Sequence, residues 1–180
     1  RKMIKYQGEM MKKALVLVDF QNDFIDGSLG TKEAQAIIPN VIEKLSQYSK
    51  ENRLATQDTH FEDYLTTQEG KNLPVIHCQN GTFGWEIRKE AQVGLAKIFE
   101  KTTFGSRTLA EFIRDENYDE VELVGICTDI CVVSNALLIK AYAPEVKISV
   151  DASCCAGVSP EKHLAALETM RSCQIEITNA

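Results

Sequence analysis

Apolar residues in this chain occur in short unbroken runs, and between the runs they recur every three or four positions. The run "ALVLV" (14–18) is continuous and rich in valine, as expected of a strand buried on both faces of a parallel sheet. In "IIPNVIEKLSQYSKEN" (37–52), Val41, Ile42, Leu45 and Tyr48 fall at helical spacing. Further strands are predicted at "RLATQD" (53–58), "LPVIHC" (73–78), "AKIFEK" (96–101), "EVELVGI" (120–126), "VKISV" (146–150) and "QIEIT" (174–178). Helices are predicted over 106–117, 131–143 and 159–172. The last has a strong start: Ser159 as cap, Pro160 in the first turn and Glu161 near the positive end of the helix dipole.

Strands alternating with helices predict an α/β fold, a doubly wound, mostly parallel sheet with helices on both faces and right-handed crossovers. Residues 13–180 are expected to form one domain behind an N-terminal extension, residues 1–12. Residues 58–95 lack strong periodicity and are long enough for a functional loop region.

Composition adds exclusions. With 44% apolar and 26% charged residues the chain reads as globular. A net charge of −6 with scattered Lys and Arg argues against nucleic acid as partner. No apolar run approaches the roughly 20 residues of a membrane helix. The first twelve residues are basic without the apolar core of a secretion signal. Six cysteines, mostly inside apolar segments, fit a reduced, cytoplasmic setting.

In open parallel sheets ligands collect at the C-terminal ends of the strands. Those ends carry Asp19, Asp58 with His60, His77, Lys101 and the stretch from Gly125 to Cys131. Cys131 reads either as a small buried residue opening a helix or as a thiol whose pKa is lowered by the helix N-terminus, where backbone amides can also receive an oxyanion. Cys127 and Cys131 are four residues apart, which is not the spacing of a Cys-x-x-Cys redox pair, and no further paired thiols suggest a zinc clip. Lys101 could be a surface lysine and Asp19 a turn cap. Together with Cys131 they form a set in which a carboxylate takes the thiol proton and a lysine stabilises the thiolate. Asp58, His60, Glu69 and His77 form a second set, readable as ligands for Zn²⁺, Fe²⁺ or Mn²⁺ or as a solvated acid with turn and core histidines.

"LVLVDFQNDF", "DTH", "HCQNGTFGW", "EKTTFGS" and "VGICTDICVVSNA" stand in the order and spacing of the isochorismatase-like cysteine hydrolases, and the chain resembles the nicotinamidase group among them. The resemblance implies a sheet of six parallel strands and a catalytic triad of Asp19, Lys101 and Cys131. It implies a cis peptide between Ile126 and Cys127, with the N–H groups of Cys127 and Cys131 receiving the oxyanion. Cys127 stands where the family usually has Ala. One divalent metal ion, zinc or else iron or manganese, is implied at Asp58, His60 and His77. Tyr64 occupies a position where many members carry another histidine, and Glu69 matches a variant that uses a glutamate instead.

Phe24, Leu73 and Trp85 are the substrate contacts the resemblance suggests, with Leu73 where an aromatic residue is common. The expected reaction converts nicotinamide and water to nicotinate and ammonia through a cysteine thioester. The partner is then a small-molecule amide, and the chain is expected to form a homo-oligomer. Two other readings stand beside it: a metal-independent cysteine hydrolase of the same family acting on another small amide or N-carbamoyl compound, and a non-catalytic or thiol-redox protein on the same scaffold.

Overall fold

The structure is a computed structural model that describes residues 10–180. The expected N-terminal extension therefore lies mostly outside the described residues. Six strands form one sheet: β1 (Lys13–Val18), β2 (Arg53–Asp58), β3 (Lys97–Lys101), β4 (Glu120–Ile126), β5 (Lys147–Ala156) and β6 (Glu176–Thr178). Their spatial order is β3-β2-β1-β4-β5-β6, and every pairing is parallel. The chain winds outward from β1 in both directions, so the topological switch point lies between β1 and β4, where such sheets bind ligands.

The alternation along β1 decides which helices go where. Ala14, Val16 and Val18 face a core shared with Leu109, Ile113, Ala136, Ile139, Leu167 and Met170. Leu15 and Leu17 face the opposite core, shared with Phe24, Ile25, Ala34, Val41 and Leu45. The second face is covered by α1 (Asn22–Ile25), α2 (Lys32–Ala36) and α3 (Ile38–Ser46). A short α4 (Gln68–Asn72) belongs to the loop region, and α5 (Arg107–Asp115), α6 (Val133–Tyr142) and α7 (Pro160–Ser172) cover the first face. Among the described residues, no helix is long and apolar enough to cross a membrane.

The expected doubly wound α/β sheet is the one observed, with three local corrections. Residues 73–78 form no strand; an isolated bridge pairs His60 with Gln79, one residue past the segment. Pro74 offers no N–H to a ladder, and Cys78 at φ 45 leaves the extended region. The helix expected over 37–52 ends at Ser46, and a single 3₁₀ turn, Lys50–Asn52, leads into β2. β5 continues past residue 150 to Ala156, because its small residues Ala152, Cys154, Cys155 and Ala156 are themselves buried.

Candidate active site

Asp19 follows β1, is fully buried and has φ 43, the left-handed region that ordinary side chains avoid at a cost of order 1 kcal/mol. Thr56 of β2 holds it there. The Asp19 N–H donates to Thr56 Oγ1 at 3.1 Å, and the Thr56 hydroxyl donates back to Asp19 Oδ1 at 2.6 Å.

Lys101 ends β3 with its ammonium buried. Nζ lies 2.6 Å from Asp19 Oδ2, 3.4 Å from Asp58 Oδ1 and 3.6 Å from Cys131 Sγ, and donates to the Thr103 carbonyl at 2.9 Å. Lys101 is thus the joint between the two clusters that the sequence presents separately. Burial disfavours its charge, but Asp19, Cys131 and Asp58 together outweigh that and hold the ammonium well above its ordinary pKa. Burial pushes the Asp19 carboxyl up, with Lys101 opposing.

Cys131 sits in a π-helical turn, Thr128–Val132, that begins three residues before the expected helix start and runs directly into α6. The Ile126–Cys127 peptide that precedes the turn is cis. The Cys127 carbonyl accepts from Ile130 N–H and, in an i→i−5 bond, from Val132 N–H, both at 3.1 Å. Asn135, fully buried, donates to the Cys131 carbonyl at 2.8 Å and to the Phe104 carbonyl at 3.1 Å, and accepts from Ser106 N–H. It fastens the cysteine turn to the loop that follows Lys101.

The expected lowering of the Cys131 pKa by the helix terminus is not met. Burial, reinforced by the Asp19 carboxylate, pushes the thiol well above its ordinary value, and Lys101 only partly opposes this. Cys127 is half-buried, and burial with Asp129 nearby pushes its thiol up to about 12. All six cysteines, every one among the described residues, are free.

Asp58, His60, Glu69 and His77 each bring one donor atom, and these atoms lie within 4.8 Å of one another. His60 Nε2 is 2.9 Å from Asp58 Oδ2 and 3.5 Å from Glu69 Oε1; His77 Nε2 is 3.7 Å and 3.9 Å from the same two oxygens. The Val75 carbonyl accepts from His77 Nδ1 at 2.7 Å, which turns Nε2 inward, the outer-shell arrangement of a ligating histidine. Two imidazoles and two carboxylates, mostly buried, fit a borderline-hard divalent cation such as zinc, iron or manganese. Burial disfavours the Asp58 anion, yet bonds from His60 and His77 and the charge of Lys101 hold its pKa far below the carboxylate range.

Local folding explains how Glu69 reaches this group. The Thr67 hydroxyl donates to the Tyr64 carbonyl and accepts from Gly70 N–H, capping α4 against the preceding turn. A Cβ at position 70 would collide with the Tyr64 carbonyl oxygen, so the close return of the chain requires glycine. The Tyr64 ring packs on both imidazoles, with centroids 4.5 Å from His60 and 5.1 Å from His77, and its hydroxyl donates to the Leu73 carbonyl.

A cleft of about 690 Å³ opens beside this cluster, lined by His60, Tyr64, Glu69, Leu73, Thr103 and Ile130 among others. Of the expected substrate contacts, Leu73 lines it. Phe24 is almost fully buried, its ring 5.5 Å from that of His77. Trp85 stands one layer back, its indole N–H donating to Thr59 Oγ1, itself a lining residue.

Sequence reasoning passed over Thr56 and Gln21. The Gln21 side chain accepts from Asp58 N–H at 2.7 Å and donates to the Asp58 carbonyl at 2.8 Å, fixing the backbone of a cluster residue. For Thr56 the available signal is a polar residue inside "RLATQD", a strand buried from Leu54 to Asp58.

The family model for the isochorismatase domain matches residues 13–180. A curated nicotinamidase/pyrazinamidase of Mycobacterium tuberculosis is 30% identical over 183 residues, covering 92% of this chain and 97% of the relative. The crystal structure of a Pyrococcus horikoshii pyrazinamidase in complex with zinc superposes with a TM-score of 0.81 at 27% identity, covering 94% of this chain and 99% of that one. A Bacillus subtilis nicotinamidase/pyrazinamidase structure does so with a TM-score of 0.79, also at 27% identity, covering 93% and 99%.

Proposed function

The chain belongs to the isochorismatase family and is an amidohydrolase acting on a C–N amide bond, and from that premise we propose that it is a nicotinamidase, hydrolysing nicotinamide to nicotinate and ammonia. The observation that carries the reading is the buried contact set of Lys101, which touches Asp19, Asp58 and Cys131 at once. We read residues 13–180 as one hydrolase domain.

Cys131 is the nucleophile. As its sulfur attacks the amide carbonyl, the thiol proton passes to Asp19, whose raised pKa suits it to receive and return a proton. Lys101 balances the negative charge that moves between sulfur and carboxylate. The amides of Cys127 and Cys131 receive the oxyanion, a role whose loss typically costs on the order of 10²–10³ in rate. Collapse of the tetrahedral centre breaks the C–N bond, and Asp19 gives its proton to the departing nitrogen, releasing ammonia. Asp19 then takes a proton from water attacking the thioester; nicotinate leaves and the sulfur regains its proton.

Asp58, His60, Glu69 and His77 would hold a divalent cation, whose Lewis acidity offers an acceptor for the pyridine nitrogen. Tyr64 and Leu73 shape the wall against which the ring lies, with Phe24 and Trp85 behind it. Nicotinate production would place the protein in pyridine nucleotide salvage.

The experiment is ammonia release from nicotinamide, pyrazinamide and an aliphatic amide, with and without chelator, in wild type and Cys131→Ala. Turnover of the two aromatic amides, weakened by chelator and absent in the variant, is the expected result. The second reading, a metal-independent hydrolase of another small amide, is favoured by Leu73, an exposed aliphatic side chain on the cleft wall. Preference for the aliphatic amide, indifferent to chelator, would establish it.

A further inference from the structure

One histidine has no part in this chemistry. His163 lies in the first turn of α7, and its Nδ1 is 2.7 Å from the hydroxyl oxygen of Thr128. Thr128 is fully buried and opens the π-helical turn that carries Cys131. The neighbouring Asp129 is also tied to the segment entering α7, because Val158 N–H donates to its Oδ1 at 3.0 Å. Gly157 makes this approach possible: a Cβ there would stand 2.8 Å from Asp129 Oδ1 and 2.9 Å from the His163 backbone nitrogen. Burial pushes the His163 imidazole below its ordinary pKa, with Asp129 working the other way.

We propose that His163 is a positioning residue for the amidase reaction: by bonding Thr128 it fixes the backbone of residues 127–131, and with it the N–H groups that receive the oxyanion. The inference rests on the reading of Cys131 as nucleophile. A histidine that merely fastened α7 to the sheet would contribute to stability and leave the reaction untouched. The two roles differ in what they alter. Displacing the amide donors weakens only steps that build negative charge on oxygen, and a shift of about 1 Å can cost about 100-fold. Alkylation of Cys131 by iodoacetamide displaces iodide from a saturated carbon and forms no oxyanion, so it reports on the thiol alone.

The test compares His163→Ala, His163→Asn, Thr128→Val and the double variant His163→Ala/Thr128→Val with wild type, using nicotinamide as substrate. Asparagine can place a hydrogen-bonding atom near the position of Nδ1. His163→Ala and Thr128→Val are each expected to lower kcat about 10- to 100-fold, with KM and the Cys131 alkylation rate within about threefold of wild type. The double variant is expected to be no worse than either single one, and His163→Asn to recover most of kcat. Undiminished kcat in His163→Ala and Thr128→Val overturns the inference, as does a fall in kcat matched by an equal fall in alkylation. If His163→Ala does not fold, Thr128→Val and His163→Asn decide by the same measures. Cys131→Ala, run alongside, separates the two readings. Activity in that variant overturns the nucleophile assignment and this inference with it; an inactive Cys131→Ala beside a fully active His163→Ala overturns this inference alone.

Discussion

The Lys101 ammonium lies 2.6 Å from Oδ2 of Asp19, with both side chains shut away from solvent. Neither charge would be stable there without the other, since an unpaired buried ion costs several kcal/mol. Replacing Asp19 with Asn is therefore expected to lower kcat by about 10²–10⁴, the usual contribution of a general base, and also to destabilise the fold. Steady-state kinetics and urea unfolding on one preparation test both halves. A variant that loses activity without losing stability would show that the pair is not mutually dependent.

The thiol beside this pair carries its own expectation. Burial and Asp19 hold Cys131 well above its ordinary pKa. Its thiolate fraction should then rise about tenfold per pH unit through the neutral and mildly alkaline range. Iodoacetamide alkylation of Cys131, followed by mass spectrometry, should climb with that slope up to about pH 9. A plateau below about pH 8 would mean that the thiolate is already formed in the resting enzyme, and that Asp19 does not need to accept its proton.

The layered sheet and its strand ends are legible because burial on both faces demands continuous apolar runs; "ALVLV" is one and "EVELVGI" ends in one. The loop from 59 to 96 is less so. Periodicity cannot tell "LPVIHC" from a strand, because what excludes it is Pro74 and the left-handed backbone at Cys78. Individual residues at the site could be chosen by chemical type, but their mutual placement depends on contacts far apart in sequence. Lys101 meets Asp58 because β2 and β3 pair in that register, and no local pattern encodes a register between strands separated by a 38-residue loop. The direction of the thiol pKa shift escapes the sequence for a related reason: the helix terminus is local and visible, whereas burial and the nearness of Asp19 are properties of the folded whole.

Gly70 links backbone geometry to metal capacity. Gly70→Ala forces a Cβ into the Tyr64 carbonyl and must push α4, and Glu69 with it, away from the two histidines. Glu69→Gln keeps the backbone and removes only the charge. Both are expected to weaken zinc affinity, by about 10- to 100-fold, the scale seen when a site's supporting groups are disturbed. Titration with a competing chelator and elemental analysis of the purified proteins measure this directly. Full zinc retention by both variants would remove Glu69 from the ligand set.

Leu73 sets how tightly a flat ring is held. It contributes aliphatic surface to the cleft wall, and an aromatic residue there would add a ring–ring contact worth about 0.5–1.5 kcal/mol. Leu73→Phe should lower KM for nicotinamide by about two- to tenfold and leave KM for an aliphatic amide unchanged. An equal change for both substrates would mean that the residue acts on the cleft as a whole and makes no stacking contact.

The last expectation concerns stability away from the site. Lys44 of α3 reaches Asp151 of β5 at 2.9 Å and Glu122 of β4 at 3.3 Å, tying the helix to two adjacent strands. Burial alone would raise the Asp151 carboxyl, but bonds from Ser153, Lys44 and Asn179 outweigh it and hold the pKa below the ordinary value. A depressed folded-state pKa means that the stabilisation is complete above the unfolded carboxylate's value near 4 and is lost as pH falls through the lower folded value. Lys44→Met leaves Asp151 and Glu122 without their cation and should cost about 1–3 kcal/mol at neutral pH. That gap should narrow as acid protonates Asp151, because the wild type then loses the same attraction. Urea unfolding of both proteins at about pH 7 and about pH 3 measures the gap; an equal difference at the two pH values would show that Lys44 does not stabilise through its charge.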